Sequence, residues 1–259
     1  AHTDQHADTY TNEHTDQYTH KHAHANTRRE FVPIFVPIRE FVSIDNEHQG
    51  KPRGTCGQVF RELGIMPSPS IIHAEAVLEE QGLAFVPLSA LSPGAHNLLL
   101  LRSRLGVRNS AHSLVKMLDP FRGEGVLVTA ATHPEFLDLM RDMLLTLDRR
   151  GILLRCSEGE PFANPKRRPR LEFVHDARAD VLFEAEHDSL RALPHLPEAA
   201  DAPSTAAWIR RVLDHQLPVP KPIANQLACC LFASGYAEDL HRAKAIVAVE
   251  GNGHGAAVA

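Results

Sequence analysis

The chain has 259 residues, 43% of them hydrophobic and 23% charged, with a formal net charge of −5. That length suits one large α/β domain or two small ones, and the composition is that of a globular protein able to bury a core. No apolar run approaches the ~20 residues of a membrane-spanning helix, and the opening residues lack the basic-then-apolar layout of a secretory leader, so no membrane partner is expected.

Charge is unevenly spread. Residues 1–48 hold four Lys/Arg and eight Asp/Glu, whereas the remaining 211 residues hold 23 bases and 24 acids. A near-neutral body with clustered bases can still bind polyanions, because the local field matters more than the total. The cysteines, Cys56, Cys156, Cys229 and Cys230, show no CxxC spacing and no histidines at zinc-finger distances. Cys229 and Cys230 lie in an apolar run and read as core thiols, which fits a reducing, cytoplasmic setting.

The first segment repeats itself. His-Thr-Asp-Gln occurs at 2–5 and 14–17, and Arg-Glu-Phe-Val at 29–32 and 39–42, with Phe-Val-Pro-Ile running twice between 31 and 38. Its first part has no aliphatic residue larger than alanine and cannot cover a core. Pro33 and Pro37 limit the second part to an edge strand or an extended arm. His20, His22 and His24 belong to a histidine-rich tract. Residues 1–53 therefore read as a low-complexity segment, disordered or non-native, ahead of an α/β domain at 54–250 and a flexible tail at 251–259.

From Gly54 the texture becomes regular. Val59, Phe60 and Leu63 recur at helical spacing, with Gly64 as the left-handed stop. A second helix is predicted between an N-cap at Ser70 and a stop at Gly82. "LAFVPL" has strand length. Ser92 and Pro93 read as an N-cap and first-turn proline opening a third helix, and "NSAHSLVKML" as a fourth, before Asp119-Pro120. "GVLVTAAT", "HPEFLDLMRDMLLTLD" and "GILLRC" follow as strand, helix and strand, a βαβ unit that implies a parallel sheet. "RLEFVHD" and "ADVLFEAE" are strand candidates for a hairpin. Three helices close the chain, and Trp208 lies on the apolar face of the first as a packing anchor.

In open α/β sheets ligands sit at the carboxyl ends of strands. That rule points to the segment around Ser92 and to "SEGEPFANPKRRPR" after Cys156. This loop carries Lys166, Arg167, Arg168 and Arg170, and the helical stretch 101–121 carries Arg102, Arg104, Arg108 and Lys116; both meet the compositional criterion for phosphate-backbone binding. Glu158 and Glu160 are a weak pair of oxygen ligands for Mg²⁺, set against the plainer reading of a solvated turn. No GxGxxG, P-loop or catalytic triad is visible, so no catalytic residue is assigned.

"SPGAHNLLLLRSRLGVRNSAHSLVKMLDPF" resembles the HPAMK…VRRELGxRTxFNxLGPLxNP segment of the anthranilate phosphoribosyltransferases, glycosyltransferase family 3, at the same length. "TCGQVFRELGI" is similar to that family's GSADVLEALGI, and "SEGEP" sits where its Mg²⁺-binding Asp-Glu lies. The likeness runs from about Gly54 to the C-terminal helices, roughly the later two thirds of a member. It implies an α/β phosphoribosyltransferase fold, N-terminally truncated, following a small helical domain that is missing here, with intact relatives forming homodimers. Ser92 replaces the family's acceptor-contacting histidine and Val115 the glycine of LGP, while Arg102 falls on the anthranilate-contacting arginine. The GTGGD and KHGN segments would lie upstream of Gly54, and nothing in residues 1–53 resembles them.

GVRNSAHxLxKxLDPF and an EGEP loop followed by bases resemble the DNA-binding, YbiB-type branch of the family. That resemblance implies binding to DNA, and to RNA, with little sequence preference, and little or no transferase activity. The eight bases named above would then contact phosphates, with no cofactor. The alternative is transfer of phosphoribose from its pyrophosphate to anthranilate or a similar aromatic amine, with Mg²⁺ on Glu158 and Glu160 and the acceptor near Arg102. That chemistry needs a cradle for the leaving pyrophosphate, and without the upstream loop the chain is expected to be inactive.

Overall fold

The computed structural model describes residues 41–45, 55–107, 109–121, 125–156, 160–188 and 195–252, all within one compact unit, Pro33–Ala259. Helix α1 spans Cys56–Glu62 and opens on a reciprocal cap: the Gln58 N–H donates to the Thr55 hydroxyl oxygen (3.3 Å), and the Thr55 N–H to Gln58 Oε1 (3.0 Å). Helix α2, Ile71–Gln81, starts with Ser70 accepting from the His73 N–H and ends at Gly82, whose φ of +72° only glycine adopts freely. Both boundaries fall where Ser70 and Gly82 predict them.

Two strands form a first sheet. β1, Phe41–Asp45, runs parallel to β2, Leu83–Pro87, with Phe41 opposite Leu83. Regular structure thus begins before Gly54, and among the described residues the proline-free FVSID stretch of the repeat region forms a strand. After the short α3, Leu88–Leu91, comes α4, Pro93–Leu105. Pro93 occupies its first turn as expected, but the Ser92 side chain makes no capping hydrogen bond. The expected fourth helix is broken: α5 covers only Ala111–Leu114 and a 3₁₀ turn, Val115–Met117, follows. Leu118 is already extended ahead of Asp119-Pro120, which stops the helix early.

The larger sheet has the order β3-β4-β5-β6, formed by Leu127–Ala131, Gly151–Arg155, Leu171–His175 and Arg178–Phe183. β3 and β4 are parallel, joined across α6, Pro134–Thr146, as the βαβ pattern predicts. The other two pairings are antiparallel, so the sheet is mixed. The tight turn at Asp176 and Ala177, both at positive φ, accounts for the β5–β6 pairing, since so short a link can only join antiparallel neighbours; β5 returns antiparallel to β4 through the 156–170 loop.

Helices cover both faces of this sheet. Strand side chains alternate, so Leu153 of β4 turns to Met140 of α6, while Ile152 and Leu154 turn to Cys229 and Ala233 of α8, Lys221–Ala233. Gly151 opens β4 because an added methyl would meet the Leu127 carbonyl at 3.0 Å and a Leu144 methyl at 3.1 Å. α9, Leu240–Asn252, packs on α8 and runs two residues into the segment expected to be tail. α7, Ala202–Leu213, lies against α1, with an Arg210 N–H donating to the Glu62 carbonyl. Trp208 is half-buried on α7 and donates its indole N–H to the His195 carbonyl, an anchoring role. Cys229 is fully buried, and burial raises its thiol pKa, as expected of a core thiol; Cys230 beside it is only partly buried. No described helix is long and apolar enough to cross a membrane.

Candidate functional site

Three contacts gather separate segments at the carboxyl end of the parallel pair β3-β4. The Cys156 N–H donates to the Ala131 carbonyl (3.0 Å), Arg155 Nε to the Thr132 carbonyl (3.2 Å), and Lys116 Nζ to the Ala130 carbonyl (2.7 Å). The 3₁₀ turn carrying Lys116 and the entrance to the basic loop therefore meet where the strand-end rule places a ligand. On the far side of the gap in the described residues, the loop resumes at Glu160, whose Oε2 accepts from the Cys56 thiol at 3.4 Å. That contact ties the loop to the start of α1.

From Glu160 on, hydrogen bonds hold the loop. The buried Gln226 side chain of α8 donates to the Pro161 carbonyl (2.7 Å) and accepts from the Ala163 N–H (2.6 Å). Asn164 then makes a turn, accepting the Lys166 N–H on its side chain (2.9 Å) and the Arg167 N–H on its carbonyl (3.1 Å). The four bases that follow have different fates. Lys166 and Arg167 are exposed, and neither forms an ion pair with a described residue. Arg168 is largely enclosed: it donates to the Glu184 carbonyl (3.2 Å), pairs with Glu186 (3.3 Å) and lies 5.0 Å from the Phe183 ring centre. Arg170 is half-exposed and pairs with Glu172 at 2.9 Å.

Glu172 is held by a second base. Its carboxylate takes two hydrogen bonds from Arg141 of α6, at 2.7 and 3.1 Å, and these raise the Arg141 pKa above its ordinary value. The bidentate fit of a planar guanidinium to a carboxylate makes this the strong contact of the group, and it leaves Arg170 as the outer partner.

The cations of the 101–121 stretch also separate. Arg102 is half-buried on the same side of α4 as the core residue Leu99, while Arg104 is exposed. Residues two apart on a helix diverge by ~200°, so these two arginines do not serve one surface. Between them the helix shows water Leu98, Leu101 and Leu105 rather than acids. Lys116 is spent in part on the Ala130 carbonyl. Arg108 and Glu158 lie outside the described residues. Among the described residues no three His, Cys, Asp or Glu side chains come together as a metal-holding group.

One base at the loop carries no signal in the sequence. Lys244 of α9 is exposed, with its ammonium 4.7 Å from the centre of the same Phe183 ring that Arg168 faces. Distant in sequence and flanked by alanines, it reads there as an ordinary solvated helix residue; only the packing of α9 brings it to the loop.

The comparisons with known proteins agree with this architecture. No family model matches. The chain is 36% identical over 180 residues to the uncharacterized protein YbiB of Escherichia coli K12, covering 69% of this chain and 56% of that protein. It is 23% identical over 221 residues to anthranilate phosphoribosyltransferase of Methanosphaerula palustris, covering 79% of this chain and 62% of that enzyme. It thus spans less than two thirds of the length of either curated relative. The crystal structure of anthranilate phosphoribosyltransferase from Thermus thermophilus matches with a TM-score of 0.57 at 18% identity, over 83% of this chain and 74% of that one. The chain therefore has an anthranilate phosphoribosyltransferase-like fold.

Proposed function

We propose that this chain is a nucleic-acid-binding relative of the anthranilate phosphoribosyltransferases, gripping the sugar-phosphate backbone of DNA or RNA with little sequence preference and with little or no transferase activity. The observation that carries the reading is the pair Lys166 and Arg167: two adjacent, exposed cations without an acidic partner among the described residues, on a loop fixed at a strand-end position. A cation held in place without a counter-charge is available to a phosphate. Phosphate contacts position a ligand without reading bases, which is why little sequence preference is proposed.

The other expected bases contribute unequally. Arg170 is paired with Glu172 and Arg168 braces the loop against Phe183 and Glu186, while Lys244, which the sequence does not single out, adds an exposed cation at the same loop. Arg102 and Arg104 diverge around α4, so at most one of them adds to this surface. A homodimer and a cytoplasmic location belong to the same proposal.

The fold itself favours a second reading, phosphoribosyl transfer to an aromatic amine, with Arg102 at the acceptor and Glu160 beside Mg²⁺. Fold alone does not carry chemistry, and the Glu160 carboxylate is engaged by the Cys56 thiol. The two readings separate experimentally. K166A/R167A is expected to weaken binding of both single-stranded and duplex DNA at least tenfold at low salt, by fluorescence anisotropy. Unchanged affinity would overturn the assignment, and rescue of a tryptophan auxotroph by this chain would establish the enzyme reading instead.

A further inference from the structure

We propose that Phe162 is a stacking platform for an unpaired base, which makes single-stranded nucleic acid the preferred ligand of the basic loop. The inference rests on the nucleic-acid reading above and adds a residue and a ligand class to it. Phe162 stands four residues before Lys166, and the residue is 41% exposed. Its neighbours are tied down: Pro161 and Ala163 are bridged by the two ends of the Gln226 amide, and Ala163 is fully buried under α8. The Phe162 N–H donates to the Glu160 carbonyl at 2.9 Å. The backbone at this position is therefore fixed while the ring is left outside.

An apolar ring on a loosely held loop would fold back onto the surface to escape water. Here the clamp on both sides fixes the backbone while the residue stays part-exposed, so little backbone ordering remains to be done on binding. Four residues span at most ~14 Å, so ring and cations lie within reach of one short oligonucleotide. The charges give the arrangement a direction. Along the chain the acidic Glu160 precedes Phe162, and the exposed Lys166 and Arg167 follow it, so phosphates are drawn to the C-terminal part of the loop. A strand laid across the loop would put a base on the ring and its backbone on the cations. Every base has a π-face, so stacking adds affinity without reading sequence, but a duplex keeps those faces covered.

The test uses the full chain with two fluorescein-labelled probes, oligothymidylate and a mixed-sequence duplex of equal length, followed by anisotropy. F162A is expected to weaken oligothymidylate binding about tenfold while changing duplex binding less than about twofold. F162L, which keeps apolar bulk without a π-face, is expected to behave like F162A, and F162W to restore binding; unchanged melting temperatures show that the fold is intact. Equal loss for both probes, or full affinity in F162L, overturns the stacking role. If F162A changes nothing while K166A/R167A weakens both probes, stacking is overturned and the backbone-binding reading stands. If the unmutated chain binds neither probe, the nucleic-acid reading falls, and this inference with it.

Discussion

Asp201 shows how much a single carboxylate does at the start of a helix. Its Oδ1 accepts the Ser204 N–H at 2.8 Å and its Oδ2 accepts the Ser204 hydroxyl at 3.1 Å, holding the first turn of α7. Those bonds, the backbone one first, lower its pKa from the ordinary 3.8. The native chain thus takes up this proton less readily than the unfolded chain. The stabilisation is complete above the unfolded value, near pH 4, and is lost as pH falls through the folded value. D201N keeps a capping oxygen but not the charge. Urea denaturation is expected to find D201N less stable at pH 7 and the gap closing below about pH 4; a gap that stays constant with pH would show that the charge is irrelevant. At this scale the sequence is only half legible. "KRRPR" gives four cations in one line of text, but not that Glu186 and Glu172 claim the last two, because Glu172 lies in β5 and Glu186 just beyond the end of β6, and only the folded sheet brings both to the loop.

Elements were far more readable where local chemistry decides them. Ser70 and Gly82 bound α2 in the structure as in the sequence, since a cap and a left-handed stop act within a few residues. The βαβ pattern predicts the parallel pairing of β3 and β4, and the strand candidates after it form the expected hairpin β5–β6; the antiparallel return of β5 onto β4 has no local signal, because the 156–170 loop that makes it is long. In the hairpin turn Ala177 sits at φ +56° and Asp176 at +45°. A methyl-bearing residue is strained in that conformation and glycine is not. A177G is therefore expected to stabilise the protein by about 0.5 kcal/mol, the relief of strain exceeding the added freedom of the unfolded chain. A higher melting temperature would bear this out; a lower one would mean that the hairpin tolerates alanine without strain. The broken α5 escaped the periodicity because "NSAHSLVKML" has the right spacing throughout, and only the extended Leu118 reveals where Asp119-Pro120 takes control.

Across the whole molecule, residues 49–259 hold 23 bases against 24 acids. Such a body exerts little long-range pull on a polyanion, so any binding must come from local cations displacing counterions. The number of those cations is measurable, because for single strands the logarithm of the affinity falls with the logarithm of salt concentration by about 0.7 per phosphate neutralised. If all eight bases suggested by the sequence made phosphate contacts, the slope would lie between about −5 and −6. The structure argues for fewer, since Lys116, Arg168 and Arg170 are bonded within the fold and Arg102 turns toward the core side of α4. Lys166, Arg167 and Lys244 remain at the loop, which gives an expected slope of about −2, falling to about −0.7 in K166A/R167A. A slope steeper than about −5 would mean that the internal ion pairs open on binding and that the wider set of arginines takes part. A slope near zero would remove phosphate contacts from the account and leave stacking at Phe162 without the cations meant to orient it.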